Sequence, residues 1–307
     1  MNGSVSPGGE EHDEGVGDGD EVEATEKIAL RPVIGPTPEE RSAHEVSHLP
    51  YRSWCAHCVA GRGRALSHPR APGLLDPQGL MVVDMDYGFL RRRLEGASSA
   101  SADAESRLTP VLVMRDRATN FPFYIMTETK GPNPFAVEEA AGFLRFLGYP
   151  RFALKSDNEA ALIAVKAQVK KTLALENVGV TLEEVPVGDS QGNGGAEQAV
   201  GAMQGLSRTL VAALEHRLKK KIAGNHKLVP WLVRHASSLA SIANRGRDGR
   251  TPWERLRNRV WRAQLPEFGE VVYFKHKPKD KLAARWASGI FLGVVLTSTQ
   301  KIVSTAN

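Results

Sequence analysis

One stretch constrains this chain more than any other: Leu80-Met81-Val82-Val83-Asp84-Met85-Asp86-Tyr87. It is apolar enough to lie inside a sheet, and strand alternation puts Val82, Asp84 and Asp86 on one face. Two carboxylates on such a strand cost too much to bury unpaired. The fold must therefore bring this strand against water, a cation or a charged partner.

Downstream, short strands and helices alternate. Thr109–Asp116 and Phe121–Thr127 read as strands joined by the turn Arg117-Ala118-Thr119-Asn120, a hairpin pattern. Asp116 suits that turn, so a structural role is preferred to a catalytic one. Gly131-Pro132-Asn133-Pro134 opens a helix over Phe135–Leu147. Arg151–Lys155 is a short strand ending in Ser156-Asp157-Asn158-Glu159, and a helix follows over Ala160–Ala174. Asp157 thus marks a strand-to-helix junction, where ligands collect in open α/β sheets. It would serve equally as a helix N-cap. Glu183–Val187 reads as a further strand. A polar, glycine-rich loop then leads to Asn193-Gly194-Gly195-Ala196, after which Val200, Met203, Leu206, Leu210, Leu214 and Leu218 recur at helical spacing. Glu197 falls in the first turn of that helix, where an acid suits the positive end of the dipole.

Both cysteines of the chain lie near its start. His44 and His48 are four apart and share a face of any helix they occupy. Pro50 ends such a helix, and Cys55 and Cys58 follow as C-x2-C. Together they make a His2Cys2 set suited to tetrahedral zinc, with metal as the main source of folding energy for so small a unit. His57 is a rival ligand, strained by its place inside the C-x2-C loop. Two cysteines three positions apart make no disulfide framework, which predicts a reducing compartment.

Charge is distributed unevenly. Residues 1–26 hold nine acids and no Lys or Arg, and Pro32, Pro36 and Pro38 follow, so residues 1–40 read as a disordered acidic tail. This start has no apolar stretch, which predicts no secretory leader, and nowhere is there an apolar run of about 20 residues to span a bilayer. The other 281 residues carry 40 basic against 26 acidic side chains, and Arg208–Arg285 alone carries 19 against six. That excess predicts a polyanionic partner, nucleic acid first. Arg208, Arg217, Lys219, Lys220 and Lys221 read as a continuation of the long helix. Arg245, Arg247 and Arg250 lie in a glycine-containing turn suited to phosphate. Lys275, Lys277, Lys279 and Lys281 alternate as on one edge of a β-hairpin.

Three acids now stand in order: Asp86 (with Asp84 as rival), Asp157 and Glu197. This series resembles the D-D-E core of retroviral and retrotransposon integrases. Ser156-Asp157-Asn158-Glu159 looks like the S/T-D-N/Q-G/E segment of that family, and Gln191-Gly192-Asn193-Gly194-Gly195-Ala196-Glu197 like its Q-x-N-G-x-x-E segment. Val113–Thr119 is similar to its V-x-x-D-x-x-T/S hairpin. Pro230–Asn244 with Thr251-Pro252-Trp253-Glu254-Arg255-Leu256 resembles copia-type elements, as does Phe268–Phe274 with Trp286 and Gly289–Gly293. The His/Cys segment resembles a pre-integrase zinc finger.

The resemblance implies an α/β fold: a ribonuclease-H-like mixed sheet flanked by helices, with a small N-terminal zinc unit and a small C-terminal β module. The parts would be a tail over 1–40, a zinc unit over 41–68, a catalytic core over 76–262 and a basic β module over 263–307. It implies that Asp86 and Asp157 hold one Mg²⁺ or Mn²⁺, and Asp86 and Glu197 another, for 3′-end processing and strand transfer. Zn²⁺ would sit on His44, His48, Cys55 and Cys58. Arg208, Lys219, Lys220, Lys221, Arg245, Arg247, Lys275 and Lys277 would contact double-stranded DNA, both element ends and target. A homo-oligomer, no membrane, and a nuclear place after a cytoplasmic precursor stage complete the expectation. The competing expectation is an inactive, domesticated DNA-binding derivative. A ribonuclease-H-like nuclease that does not integrate would share the acids without needing the zinc and C-terminal parts.

Overall fold

The computed structural model describes residues 35–62, 76, 78–90, 109–185, 194–277, 280–282 and 284–305. The acidic tail over 1–34, the 91–106 loop, most of the 69–77 linker, the 186–193 stretch and Lys279 lie outside the described residues. Pro36–Asn307 packs as one unit. In chain order its described helices are α1 (Pro38–Ser47), α2 (Ala56–Arg62), α3 (Pro134–Leu147), α4 (Ala160–Ala174), α5 (Gly194–Leu218), α6 (Val229–Ala243) and α7 (Pro252–Arg257). The strands are β1 (Met81–Leu90), β2 (Thr109–Asp116), β3 (Pro122–Met126), β4 (Arg151–Ser156), β5 (Gly179–Glu184), β6 (Val271–Lys275), β7 (Trp286–Val295) and β8 (Gln300–Ser304).

The acid-bearing strand β1 is central in a five-stranded sheet of order β3-β2-β1-β4-β5. It pairs antiparallel with β2 and parallel with β4, so the sheet is mixed. Alternation divides β1 as the sequence requires. Val83, Met85 and Tyr87 join Leu112 and Met114 in a core with Val137, Ala140 and Leu144 of α3 and Leu162, Val165 and Val169 of α4. On the other face Val111, Val113 and Tyr124 pack with α5 and α6. Gly201 and Gly205 would each weaken an isolated α5 by about 1 kcal/mol. Burial of Met203, Leu206, Leu210 and Leu214 outweighs this at about 1.5–3 kcal/mol each.

The hairpin between β2 and β3 is fixed by Asp116, as its turn role predicts. Its buried carboxylate accepts from the backbone N–H of Ala118 (3.3 Å) and Thr119 (3.0 Å), and from the Tyr149 hydroxyl (2.9 Å). Three expectations are corrected. Pro38 does not interrupt a helix but opens α1, at the position where a missing N–H does no harm; Thr37 and Glu40 form a capping box around it. The strand expected over 183–187 lies earlier, at Gly179–Glu184, because Val180 and Leu182 supply the apolar contacts. The long helix stops at Leu218, before the lysine run. Lys219 turns left-handed (φ 54), and the Glu215 carboxylate takes the Ile222 N–H at 2.7 Å, folding the chain back.

The His/Cys segment is docked on α5 through small residues. A Cβ on Gly61 would overlap Thr209, and one on Gly205 would come within 2.8 Å of the Arg62 side chain. At the other end, β6, β7 and β8 form a three-stranded antiparallel sheet. It is seated on α6: Phe268 and Leu292 enter the same core, His235 packs between the Phe268 and Phe291 rings, and Ser238 Oγ donates to the Val294 carbonyl. No helix among the described residues is long and apolar enough to cross a membrane.

Candidate active site and metal centre

Asp84 and Asp86 share a face of β1, but the fold treats them oppositely. Asp84 is 2% exposed. Arg117, from the turn after β2, donates to it through Nε (3.0 and 2.9 Å to its two oxygens) and Nη2 (2.6 Å). The first turn of α5 closes over this pair so tightly that a Cβ on Gly195 would stand 2.5 Å from Asp84 Oδ2. Asp84 is thus an internal ion-pair partner. Asp86, two residues on, is only partly buried and its Oδ1 accepts from the Tyr87 N–H at 2.7 Å.

The parallel pairing of β1 with β4 ends at Asp84 beside Lys155, and Asp157, just past β4, is near enough for its charge to act on Asp86. Asp157 follows directly on β4, its Oδ1 accepting the Glu159 N–H (3.1 Å). The neighbouring Glu159 is held by Lys130 Nζ at 2.5 and 2.6 Å. Glu197 is exposed in the first turn of α5. Burial, then the charges of Asp157, Glu159 and Glu197, push the Asp86 carboxyl up to about 6, against the opposing pull of the Tyr87 N–H. Asp157 and Glu197 thus act on Asp86 through their charge, but the three carboxylates do not close into a metal-competent group among the described residues. As hard oxygen donors they would suit Mg²⁺ or Mn²⁺ if drawn together.

The other cluster is tighter. His44 lies on α1, and His48 is its left-handed C-cap (φ 53). Cys55 precedes α2, and Cys58 sits in its first turn. Their ligand atoms all lie within 4.8 Å of one another and all four residues are buried. His44 Nε2 stands 3.3 Å from Cys58 Sγ, and His48 Nδ1 3.5 Å from Cys55 Sγ. A tetrahedron built from Zn–N and Zn–S bonds of about 2.0–2.3 Å has N–S edges of about 3.5 Å, so the set fits zinc. Burial first lowers the pKa of both histidines, His48 to about 3, keeping the neutral imidazoles that ligation needs. Arg62 Nη2 donates to Cys58 Sγ (3.0 Å) and would stabilise its thiolate. His57 is outside this set, its ring 5.4 Å from that of His216 on α5 and 5.6 Å from that of His48. Among the described residues this is the one metal-competent group of three or more His, Cys, Asp or Glu side chains that closes so tightly.

The expected DNA contacts are scattered and differently engaged. Arg208 Nε and Nη2 donate to the Gly61 carbonyl (3.3 and 3.1 Å). Lys219 and Lys220 lie exposed past the end of α5, and Lys221 pairs with Glu215 at 3.4 Å. Arg245 reaches the Gly249 carbonyl and Glu254, while Arg247 is exposed. Lys275 and Lys277 are exposed along β6 and its extension. On the same open face stand Tyr273 (76% exposed) and, paired with Lys275, Trp286 (58%). Arg117, the partner of Asp84, fills an unspecified position of the V-x-x-D-x-x-T spacing, so no motif letter points to it.

The core is a mixed five-stranded sheet flanked by helices. No protein-family model matches the chain, and no curated protein matches it. Among solved structures it is similar to the HTLV-2 integrase catalytic core domain in complex with magnesium, in its trimeric form (13% identity, 60% of this chain and 99% of that one, TM-score 0.38). It is also similar to a chain of the simian T-cell lymphotropic virus intasome in complex with the PP2A regulatory subunit B56 gamma (15%, 81% and 84%, TM-score 0.42). The BIV integrase catalytic core domain is a third (15%, 58% and 93%, TM-score 0.35).

Proposed function

We propose that this chain is an integrase of the copia-type retroelement class, joining element DNA ends to target DNA. The observation that supports this most is the grouping of Asp86, Asp157 and Glu197 from three elements, with Asp84 withdrawn into an ion pair. Bound Mg²⁺ or Mn²⁺ would activate the attacking oxygen and stabilise charge on the leaving one. Asp86, whose carboxyl feels the charges of both other acids, would serve both ions. Gly195 lets the first turn of α5, which carries Glu197, approach Asp84 of β1 closely. The exposed lysines, with Tyr273 and Trp286, present cation and aromatic faces to a DNA strand.

In end processing, water attacks a phosphodiester near the 3′ end and the 3′-oxygen departs. In strand transfer, that 3′-hydroxyl bonds to a target phosphorus as the target 3′-oxygen leaves. Joining two ends calls for a second copy of the chain, and a chromosomal target calls for the nucleus. His44, His48, Cys55 and Cys58 would hold Zn²⁺ and fix α1 and α2 on α5. The test is strand transfer on short duplexes carrying a matched element end, with Mg²⁺ or Mn²⁺. Wild type joins the strands and Glu197→Gln does not. Activity that survives Glu197→Gln refutes the assignment. DNA binding without joining in wild type identifies the inactive, domesticated derivative.

A further inference from the structure

A cavity of about 420 Å³ opens between the His/Cys segment, α5, the β2–β3 turn and the α6–α7 connection. Five arginines line it, Arg62, Arg115, Arg208, Arg245 and Arg255, and no aspartate, glutamate or lysine does. Two of the five have carboxylate partners just behind the wall. Arg255 grips Asp248 (3.0 and 2.5 Å), and Arg245 reaches Glu254 at 3.4 Å.

The other three have no carboxylate among their hydrogen-bond partners, though the Asp84 charge acts on Arg115 and Arg62 faces the Cys58 sulfur. Arg115 donates to the Gly195 carbonyl (3.2 Å), Gln198 Oε1 (2.7 Å) and Asn120 Oδ1 (3.1 Å). Arg208 uses the Gly61 carbonyl, and Arg62 the His48 carbonyl and Cys58 Sγ. Arg62 Nε is buried with no hydrogen-bond partner. Crowding guanidinium groups in a partly enclosed space is unfavourable unless an anion answers them. Burial already pulls Arg115 below its ordinary pKa. Gly201, Ala202 and Gly205 keep the α5 wall low, leaving room where larger side chains would fill the cavity.

We propose that this cavity binds a phosphate-bearing anion of several charges, whose oxygens accept from the arginine forks. Guanidinium matches phosphate oxygens two at a time, and the volume suits a nucleotide-sized ligand. The site is separate from the acid group: Asp86, Asp157 and Glu197 are absent from its lining. Consecutive residues of α5, Glu197 and Gln198, thus serve a cation-seeking and an anion-seeking site. The phosphate comes either from a free polyphosphate or from a DNA strand; only the second source rests on the integrase reading.

The test uses the full chain with zinc retained and no added Mg²⁺, so its readout is independent of strand transfer. Tripolyphosphate and a short DNA duplex are titrated separately by calorimetry, then against each other. Arg115→Gln and Arg208→Gln should each weaken tripolyphosphate binding about 10-fold or more, because each removes charge-assisted hydrogen bonds. Lys171→Gln, an equal loss of charge on exposed α4, should leave it within about twofold. Arg115 also anchors the start of α5, so wild type supplies a second measurement. Tripolyphosphate should protect Arg208 and Arg245 from phenylglyoxal.

If DNA displaces tripolyphosphate and loses affinity in the same variants, the phosphate is a strand's. If DNA does not displace it, the ligand is a free polyphosphate. Absence of tripolyphosphate binding overturns the proposal. So does equal weakening by Lys171→Gln, or modification of both arginines at undiminished rate.

Discussion

Asparagine at Asp84 and at Asp86 should act in opposite directions, although the two sites are two residues apart on one face of one strand. Asp84 and Arg117 have side chains 3% and 8% exposed and meet through three contacts of 2.6–3.0 Å. Breaking a buried pair of this kind costs about 3–5 kcal/mol. Asparagine keeps one oxygen acceptor, so Asp84→Asn should sit near the lower end, about 3 kcal/mol. Asp86 carries the reverse burden. Its carboxyl is raised from 3.8 to about 6 by burial and by three neighbouring acids, so at pH 7 the ionised group weighs against the fold. That displacement corresponds to about 3 kcal/mol, reduced to about 1–2 for a group still partly open to water. Asp86→Asn should therefore be about 1–2 kcal/mol more stable than wild type in urea at pH 7 without Mg²⁺, and inactive in strand transfer. Gly195→Ala, whose added methyl meets Asp84, should reproduce the destabilisation with both acids retained. Urea melts followed by circular dichroism, paired with the joining assay, measure both quantities. An Asp84→Asn as stable as wild type, or an Asp86→Asn that is the destabilised protein, would refute these opposite roles.

Two further outcomes follow from other parts of the fold. One equivalent of zinc should co-purify with the chain, and Cys58→Ser should lose it, with greater protease sensitivity of α1 and α2 by mass-mapped digestion; full zinc content in Cys58→Ser would refute the ligand set. His235 is fully buried between Phe268 and Phe291, and burial lowers its pKa to about 3. The unfolded chain takes a proton near 6.5, so this residue's contribution is complete above pH 6.5 and is lost as pH falls towards 3. At pH 5 the loss is about 2 kcal/mol, and His235→Leu should remove that part of the difference between urea melts at pH 8 and pH 5. An unchanged pH response in His235→Leu would refute it.

How much of this could be read from the sequence depended on the range of the interaction. Alternation in β1, the hairpin acid Asp116, and the strand-to-helix junction at Asp157 are local patterns, and each is found where it was expected. The His/Cys set was also legible, because its ligands lie within 15 residues and their chemistry is restrictive. The end of α5 was not: Leu218 and the lysines are equally good helix formers, and the chain turns back because Glu215 captures Ile222 N–H, a contact no periodicity encodes. Nor was the arginine cavity, whose cations come from separated stretches that meet only after α2 has docked against Gly205 and Thr209.

Asp84 and Asp86 show the limit most sharply. Residue type, face and strand are the same for both, so any rule of composition or spacing must treat them alike. What separates them is one guanidinium 33 positions downstream and one missing Cβ at Gly195, more than 100 positions away. The pairing neutralises the deeper acid and lets α5 close over it. The first turn of α5 also carries Glu197, so a change at Arg117 or Gly195 would shift Glu197 relative to Asp86 without removing any of the three candidate acids.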